Sequence, residues 1–537
     1  MSSPQTIPAA LAGTSAGGVG EHVFHLEDGV VRLSLAELAE RAQRGAQRLA
    51  ALGVGPGDAV GVLGPNRPEW VISAFAAWTM GAVVVPVPLA LRVRDPDAFR
   101  EQLRRLVEAA DCRRVLVDPR LAALLPAGVA APWDEEGEES SQPLAEPVPS
   151  SPAVVQFTSG STAAPKGALL THAAVSAQMD ILAHGYRHDE GSPRTVLSWT
   201  PFFHDLGLFG NLVQPAYTGS ITHHLPTESF AKDPAAWLRL VGKTRVSVTV
   251  GPSSAFGSAL KAAGRRGERI DLSSLEAAFF AAEGVDPEVS QGMVDTARQF
   301  GFHPEALGAT YGLAEAVMAV SFPVLGTGLR LDRVSLPKLA REAVAVPVDE
   351  GQARLMVSTG RPYMDLRIAG SGGSVAERHL GEIQLRGPSS MSGYVGPGAP
   401  DPFVDGWLCT GDLGYLADGE LYVAGRAKDM VIAMGHNYYP EDFEWAAARV
   451  DGIRPGRCIA FSLPGSERVV LLVEARDGDP EALRREVGWS VANAVGVAPS
   501  EVVILPAGAL EKTTSGKLRR AAMRHAYSSG KLPTPSP

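Results

Sequence analysis

The first third of the chain alternates short apolar segments with longer segments whose apolar residues recur at helical spacing. Helices are predicted at Ser34–Leu52, which ends before a glycine suited to cap it, and at Glu69–Met80. Strands are predicted at Ala59–Leu63, Ala82–Val87, Arg114–Val117, Ala153–Phe157, Thr195–Trp199 and Val246–Val250. Parallel sheets covered by helices on both faces produce this alternation. We therefore predict an α/β fold with two doubly wound sheets.

The pattern changes after Val346. Short strands separated by turns are predicted at Leu355–Ser358, Leu366–Ala369, Glu382–Arg386 and Glu420–Ala424, which indicates a small β-barrel-like subdomain. After Gly425, mixed strand and helix patterns fill a length that suits a small α+β domain. A chain of 537 residues is too long for one core. We predict an N-terminal domain over 1–425 and a small C-terminal domain over 426–537.

Charge and cysteine content exclude some classes of protein. The net charge is −10, with both signs interspersed and no basic cluster, so a nucleic-acid partner is not expected. The acidic run Asp134–Ser141 is predicted to be a solvated connector. The three cysteines, Cys112, Cys409 and Cys458, form no CxxC or Cys/His pattern. This argues against a disulfide framework or structural zinc and favours a cytoplasmic protein.

One segment has the hydrophobicity of a membrane span. Trp70–Leu91 carries no charge, but Gly81, Pro86 and Pro88 would interrupt a spanning helix. A buried helix followed by a buried strand fits it better. The segment Met1–His22 lacks the charged and apolar regions of a secretory signal. No membrane association is expected.

The strongest local motif is Thr158–Gly167, which follows a predicted strand and reads TSGSTAAPKG. Glycines allow successive backbone N–H groups to point at phosphate oxygens, while the hydroxyls and Lys166 add donors and charge. Its spacing does not match a Walker A loop. A flexible Ser/Gly turn is the alternative, and composition alone does not decide between them.

Four further motifs are weak in isolation. In the segment 199–207, His204 beside Asp205 is a catalytic pair or a structural histidine. In the segment 309–316, the ring of Tyr311 could stack on a base, and the carboxylate of Glu315, four residues later, could bind Mg²⁺. A carboxylate on a turn in the segment 406–414, followed by 425–429, suits ribose hydroxyls or simply marks a β-turn. The segment 512–520 is a basic turn before a final helix.

Taken in order, these motifs resemble those of the adenylate-forming superfamily of acyl-CoA synthetases, peptide-synthetase adenylation domains and luciferases. The resemblance extends from about Ser34 to Arg524. Within the superfamily the chain looks most like the fatty acyl-AMP ligases. The segments typical of that branch are His204–Gly207, Tyr311–Ala316, Asn437–Asp442 and an insertion over about Phe322–Asp349.

The resemblance implies specific roles for individual residues. Lys517 and His204 would act at the acyl carboxylate, with Glu315 as the Mg²⁺ ligand. Lys428 would be the hinge of a mobile C-terminal domain. Gly435 and His436 would line the route by which the phosphopantetheine thiol enters. The implied ATP-binding residues are Thr158, Ser159, Gly160, Ser161, Thr162, Lys166, Ala281, Ala282, Glu283, Thr310, Tyr311, Gly312, Asp412 and Arg426.

The implied activity is that of an ATP-dependent acid–thiol ligase. It would convert a carboxylic acid, such as a fatty acid or a natural-product intermediate, into acyl-AMP. It would then pass the acyl group to the phosphopantetheine thiol of an acyl carrier protein or of CoA. One alternative is an acyl-CoA ligase that uses a preformed acyl-adenylate. Another is a non-catalytic nucleotide-binding regulator, against which the joint presence of Lys166, Glu315, Asp412, Arg426 and Lys517 argues.

Overall fold

The fold is that of a computed structural model, which describes residues 5–90, 95–133, 139–157, 165–187, 194–463, 465–513 and 517–532. The chain forms two compact units. The first contains residues 1–282, 292–328 and 386–406. The second contains residues 283–291, 329–385 and 407–537. Part of the predicted acidic connector, residues 134–138, lies outside the described residues.

The first unit is built on two seven-stranded sheets. One has the order β13 (Leu307–Ala309), β12 (Ala277–Phe280), β11 (Val248–Gly251), β9 (Thr195–Ser198), β10 (Ile221–His224), β1 (Glu21–Leu26) and β2 (Gly29–Ser34). The other has the order β22 (Gly393–Val395), β8 (Gly167–Thr171), β7 (Pro152–Phe157), β4 (Val83–Pro86), β3 (Ala59–Leu63), β5 (Cys112–Val117) and β6 (Ala130–Pro132). Most neighbours are parallel, which confirms the prediction of parallel α/β sheets.

Helices and short strands complete this unit. The helices are α1 (Ile7–Ala16), α2 (Leu35–Ala51), α3 (Pro68–Thr79), α4 (Pro96–Ala109), α5 (His172–Gly185), α6 (Asp205–Gly207), α7 (Gln214–Thr218), α8 (Thr227–Lys232), α9 (Ala235–Thr244) and α10 (Ser253–Arg265). The remaining strands are β14 (Tyr311–Gly312), β15 (Ala319–Phe322) and β23 (Phe403–Val404). Along the chain, α11 (Pro287–Arg298) belongs to both units.

Helix α2 shows why the predicted helix ends where it does. The Ser34 hydroxyl accepts the Glu37 N–H at 3.1 Å and caps the first turn. At the other end Gly53 has φ +75°, and its N–H donates to the Ala50 carbonyl at 3.0 Å. The Val54 N–H donates to Leu49 at 3.0 Å, completing a Schellman motif.

The second unit holds the remaining strands. One sheet contains β20 (Gly373–Ser374), β19 (Asp365–Gly370), β21 (Gly381–Arg386) and β24 (Trp407–Ala417) in that order, and β25 (Glu420–Arg426) also pairs with β24. Another is β28 (Ile453–Ser462), β29 (Val469–Ala475) and β30 (Glu501–Leu505), and the shorter strands are β16 (Leu331–Ser335), β17 (Ala353–Val357), β18 (Arg361–Pro362), β26 (Val431–Ala433) and β27 (His436–Tyr438). Its helices are α12 (Leu336–Glu342), α13 (Pro440–Ala448), α14 (Pro480–Val495) and α15 (Arg520–Ser528).

The apolar segment that resembled a membrane span forms α3 followed by β4. Trp70 and Trp78 of α3 are fully buried, and the Trp78 indole donates to the Ala153 carbonyl at 2.9 Å. Among the helices that the structure describes, none is both long enough and apolar enough to span a bilayer. The predicted helix-to-strand arrangement is therefore observed.

Candidate active site

The loop after β9 is fixed by two buried amide side chains. Asn66 donates from Nδ2 to the Thr200 carbonyl at 2.8 Å and accepts the Phe202 N–H on Oδ1 at 3.0 Å. Gln156 donates from Nε2 to the Phe203 carbonyl at 2.9 Å. These bonds satisfy the polar backbone of an irregular segment, so the segment keeps a defined shape beside the sheet edge.

His204 and Asp205, for which the sequence left both a catalytic pair and a structural histidine open, contact each other at the end of this loop. Nδ1 of His204 lies 2.5 Å from Oδ1 of Asp205. The same carboxylate oxygen accepts the Leu206 N–H at 2.6 Å, and Asn211 donates to the Leu206 carbonyl at 2.8 Å. The imidazole is thus oriented through Nδ1, which directs Nε2 away from the carboxylate.

Gly207 is required where the loop enters α6. A Cβ at this position would stand 2.0 Å from the Pro201 carbonyl oxygen. Gly207→Ala is expected to cost about 1–3 kcal/mol and to lower activity, because the loop that carries His204 must move. The matched control is Gly264→Ala in α10, where a Cβ meets no heavy atom within 4 Å. Thermal melting and turnover of both variants check this, and equal stability of the two would contradict it.

Three of the predicted nucleotide-binding residues follow the carboxyl ends of neighbouring parallel strands. Ala281 follows β12, and its N–H donates to the Gly251 carbonyl at 3.1 Å. Thr310 follows β13, and its N–H donates to the Phe280 carbonyl at 2.9 Å. Tyr311 comes next and is mostly buried. The carboxyl edge of a parallel sheet is the usual ligand-binding edge of this class of fold.

Glu315 is linked through Tyr394 of β22 to β8, the strand that follows the predicted phosphate loop. The Tyr394 hydroxyl donates to Oε1 of Glu315 at 2.6 Å. Tyr394 lies in β22 directly opposite Ala168 of β8, two residues after Lys166. The Met391 N–H also donates to the Glu315 carbonyl, at 2.8 Å. The structure thus brings the predicted metal ligand to the strand adjoining Lys166.

Five predicted residues of the phosphate loop, Thr158, Ser159, Gly160, Ser161 and Thr162, lie outside the described residues. Lys166 is described and is half-buried immediately before β8. Ala282 has φ +70°, a left-handed conformation at the end of the predicted adenine-binding stretch. Glu283 belongs to the second unit, and Gly312 lies in β14.

In the second unit, the two residues predicted to hold the ribose form an ion pair. Asp412 of β24 is paired in register with Arg426 of β25, and Nε of Arg426 lies 3.0 Å from Oδ1 of Asp412. The turn predicted at Asp412 is wrong, because residues 410–412 belong to strand β24 and pair with its neighbours. Within the strand, Thr410 accepts the Asp412 N–H at 3.0 Å and donates to the Ile383 carbonyl at 2.7 Å. Asp412 is almost fully buried, whereas Arg426 is half exposed.

The remaining predicted residues also lie in the second unit. Lys428 is exposed in a short 3-10 turn, Ala427–Asp429, directly after β25. Gly435 lies at the tip of the hairpin between β26 and β27, and His436 begins β27. Lys517 is exposed, and its N–H donates to the Thr513 hydroxyl at 3.1 Å.

Sequence reasoning missed the residues that shape the site without carrying its motifs. Asn66, Gln156 and Tyr394 reach their partners by side-chain contacts between distant parts of the chain, up to 136 residues apart in the case of Asn66. A single sequence gives no local signal for such contacts.

Comparison with known proteins identifies the family of the chain. The model of the AMP-binding enzyme family matches residues 15–395. A putative acyl-CoA synthetase of Caulobacter vibrioides is 33% identical, over 98% of this chain and 96% of its own length. The medium-chain-fatty-acid–acyl-carrier-protein ligase JamA of Moorena producens is 29% identical, over 94% of this chain and 91% of its own.

Solved structures give the same result. A chain from a study of fatty acyl-adenylate ligases of E. coli and L. pneumophila superposes with a TM-score of 0.90 at 30% identity, covering 98% of both chains. The predicted fold class, a large N-terminal α/β domain with a smaller C-terminal domain, is thereby confirmed. The chain belongs to the AMP-binding enzyme family and is an adenylate-forming acyl-AMP ligase, most similar to the fatty acyl-AMP ligase branch.

Proposed function

We propose that this enzyme converts a medium- or long-chain carboxylic acid into acyl-AMP and then transfers the acyl group to a phosphopantetheine thiol. The main support is the link from Glu315 through Tyr394 to the strand beside Lys166. This link supports the proposal that the Glu315 carboxylate lies near the phosphates of bound ATP. Tyr311 would stack on adenine, and the Asp412–Arg426 pair would hold the ribose.

The donor set around Glu315 suits Mg²⁺. One carboxylate oxygen of Glu315 accepts the Tyr394 hydroxyl. Among the described residues, no group of three or more His, Cys, Asp or Glu side chains could hold a metal ion by itself. Mg²⁺ prefers one or two carboxylates together with substrate phosphates and waters, so a single glutamate fits. When bound, it would neutralise charge on the phosphates. Lys517 would do the same at the acyl carboxylate and the α-phosphate.

The acceptor thiol is proposed from the relatives, whose names differ. One is named a putative acyl-CoA synthetase and the other an acyl-carrier-protein ligase. CoA and an acyl carrier protein both carry the thiol at the end of a phosphopantetheine arm. We propose that this arm passes Gly435 and His436. An acyl carrier protein is the acceptor that we propose first, because the chain is most similar to the fatty acyl-AMP ligase branch.

Pyrophosphate exchange tests the first half-reaction. The enzyme is incubated with ATP, Mg²⁺, labelled pyrophosphate and a panel of acids that includes hexanoic, decanoic and hexadecanoic acid. We expect exchange that depends on one class of acid. Acyl transfer is then measured with CoA and with a phosphopantetheinylated carrier protein. Binding of ATP without exchange over a broad panel would instead favour a non-catalytic nucleotide-binding protein.

The proposed C-terminal domain begins at residue 426, with Lys428 as its hinge. Lys428→Pro fixes φ near −65° and restricts the backbone where two arrangements of the domain must interconvert. We expect acyl transfer to fall by up to about 10²-fold, and adenylation to fall less. The control is Lys428→Ala, which removes the side chain but leaves the backbone free. Separate assays of the two half-reactions check this, and equal losses in both would contradict a hinge role.

A further inference from the structure

A fully buried carboxylate that belongs to none of the motifs described above lies in the second unit. Glu474 of β29 has no solvent exposure. Its Oε2 accepts a hydrogen bond from Nη1 of Arg454 at 3.1 Å, and its Oε1 lies 3.7 Å from Nη1 of Arg457. Oε1 also accepts the backbone N–H of Leu510 at 2.8 Å. The same Arg457 atom donates to the Leu510 carbonyl at 3.3 Å.

Leu510 is the start of the segment that leads to Lys517. Its side chain is buried in a core cluster with Leu505 of β30 and Met523 of α15. Beyond it, Lys512 and Leu518 form an antiparallel bridge, and Leu518 packs against the same cluster. Glu474 therefore holds the backbone at the base of the segment in which Lys512 pairs with Leu518.

Hydrogen bonds connect this base to Lys517 itself. The Thr513 N–H donates to the Lys517 carbonyl at 2.7 Å, and the Lys517 N–H donates to the Thr513 hydroxyl at 3.1 Å. The Arg519 N–H donates to the Glu511 carbonyl at 3.0 Å. The backbone of Lys517 is thus held by the arm that leaves Leu510, and a shift of that arm would move the lysine.

A buried charge is a poor source of stability. Removing a carboxylate such as that of Glu474 from water is costly, and apolar residues of similar size commonly stabilise a core equally well or better. What a satisfied buried network provides is rigidity and a unique geometry. Rigidity is useful at the base of a segment whose lysine must meet developing charge at a defined position.

We propose that Glu474 is a positioning residue for Lys517, acting through the Leu510 amide and the two arginines. The inference rests on the proposed function, in which Lys517 stabilises the adenylation transition state. Glu474 itself touches no substrate. Its carboxylate holds the Leu510 backbone, and with it the segment that carries Lys517, at a fixed position relative to β29. Its charge holds the guanidinium groups of Arg454 and Arg457 beside it.

The test is a double-mutant cycle on the full-length enzyme. Adenylation is measured by pyrophosphate exchange with ATP and decanoic acid. If another acid of the panel gives stronger exchange, that acid is used in place of decanoic acid. Glu474→Ala is expected to lower the exchange rate by about 10²-fold with ATP affinity unchanged. In a Lys517→Ala background, Glu474→Ala should cause no further loss, because the two residues act as one unit.

Two further variants separate positioning from folding. Glu474→Gln keeps an acceptor for the Leu510 N–H, so it should recover part of the lost rate even if Glu474→Ala is poorly folded. Glu501→Gln is the control, because Glu501 lies in the adjacent strand β30 and accepts the Tyr527 hydroxyl at 2.7 Å. It is expected to leave the rate unchanged.

Three results would overturn the proposal. These are full exchange by Glu474→Ala, a loss that adds fully to that of Lys517→Ala, and weakened ATP binding that accounts for the whole effect. If Lys517→Ala itself retains exchange, the proposed role of the lysine fails, and the positioning role fails with it. If only the Glu474 variants retain exchange, the proposed function stands and the positioning role alone is wrong.

Discussion

Lys517→Ala is expected to lower the rate of acyl-adenylate formation by about 10²–10³-fold without lowering the melting temperature. Adenylation brings a carboxylate and a phosphate, both anionic, into contact, so much of its barrier is electrostatic. A lysine ammonium group held at that contact compensates charge as pyrophosphate leaves. Because the Lys517 side chain is exposed, its loss removes no core packing. Its backbone bonds to Thr513 do not involve the side chain.

The measurement is single-turnover formation of acyl-AMP, with melting temperature as the check on folding. Lys531→Ala is the matched control, since Lys531 is another exposed lysine of the second unit, beyond α15. Only the change at position 517 should slow the reaction. ATP binding should weaken much less than the rate falls, because the lysine interacts most strongly with the transition state. Adenylation at the wild-type rate would remove Lys517 from the mechanism.

Local signals in the sequence were sufficient for elements that depend on their own residues. Helix α2 was predicted over Ser34–Leu52 and is observed over Leu35–Ala51, because a capping serine, a helical apolar stripe and a left-handed glycine specify it locally. Strand β3 was predicted over the range that is observed. By contrast, α1 and the hairpin of β1 and β2 were missed. Strand β1 reads EHVFHL, in which His22 is fully buried and His25 partly buried, and these rings contact His224 and His223 of β10.

The candidate site shows the same division. Motifs indicated the candidate residues, because each motif depends on residue types at a fixed local spacing, as with Thr410 and Asp412, which lie two residues apart in β24. The supporting contacts were not predictable, because they join distant positions. Tyr394 reaches Glu315 only after β22 pairs with β8. Glu474 reaches Leu510 because β30 pairs in parallel with β29 and the segment after β30 lies beside Glu474.

A second large effect is expected at a buried ion pair within the second unit. Nε of Arg354, in β17, lies 2.8 Å from Oδ1 of Asp442, in α13, and both side chains are almost fully buried. Arg354 also donates to the Ala424 carbonyl at 2.9 Å, and its guanidinium group lies 4.5 Å from the centre of the Tyr439 ring. Asp442 accepts the Tyr439 N–H at 3.2 Å, which caps α13. The pair thus joins strands that precede Lys428 in the chain to the helix that follows it.

Removing one partner leaves the other charge buried. Burial raises the pKa of the Asp442 carboxyl, and Arg354 opposes that shift. Arg354→Met is therefore expected to destabilise the protein by about 3–5 kcal/mol. At about 2–4 °C per kcal/mol, the melting temperature of the second unit should fall by about 10 °C. Arg354→Met combined with Asp442→Asn should be much closer to the wild type, because the amide is uncharged and still accepts the Tyr439 N–H.

The pH dependence gives this prediction an independent check. Without Arg354 the folded-state pKa of Asp442 rises further above its unfolded value. A group with a raised pKa favours the folded state in acid and opposes it as the pH increases. The deficit of Arg354→Met relative to the wild type should therefore be smaller at about pH 5 than at about pH 8. The double variant should show no such trend. A deficit independent of pH, or a double variant as unstable as the single one, would mean that Arg354 contributes through packing on Tyr439 rather than through its charge.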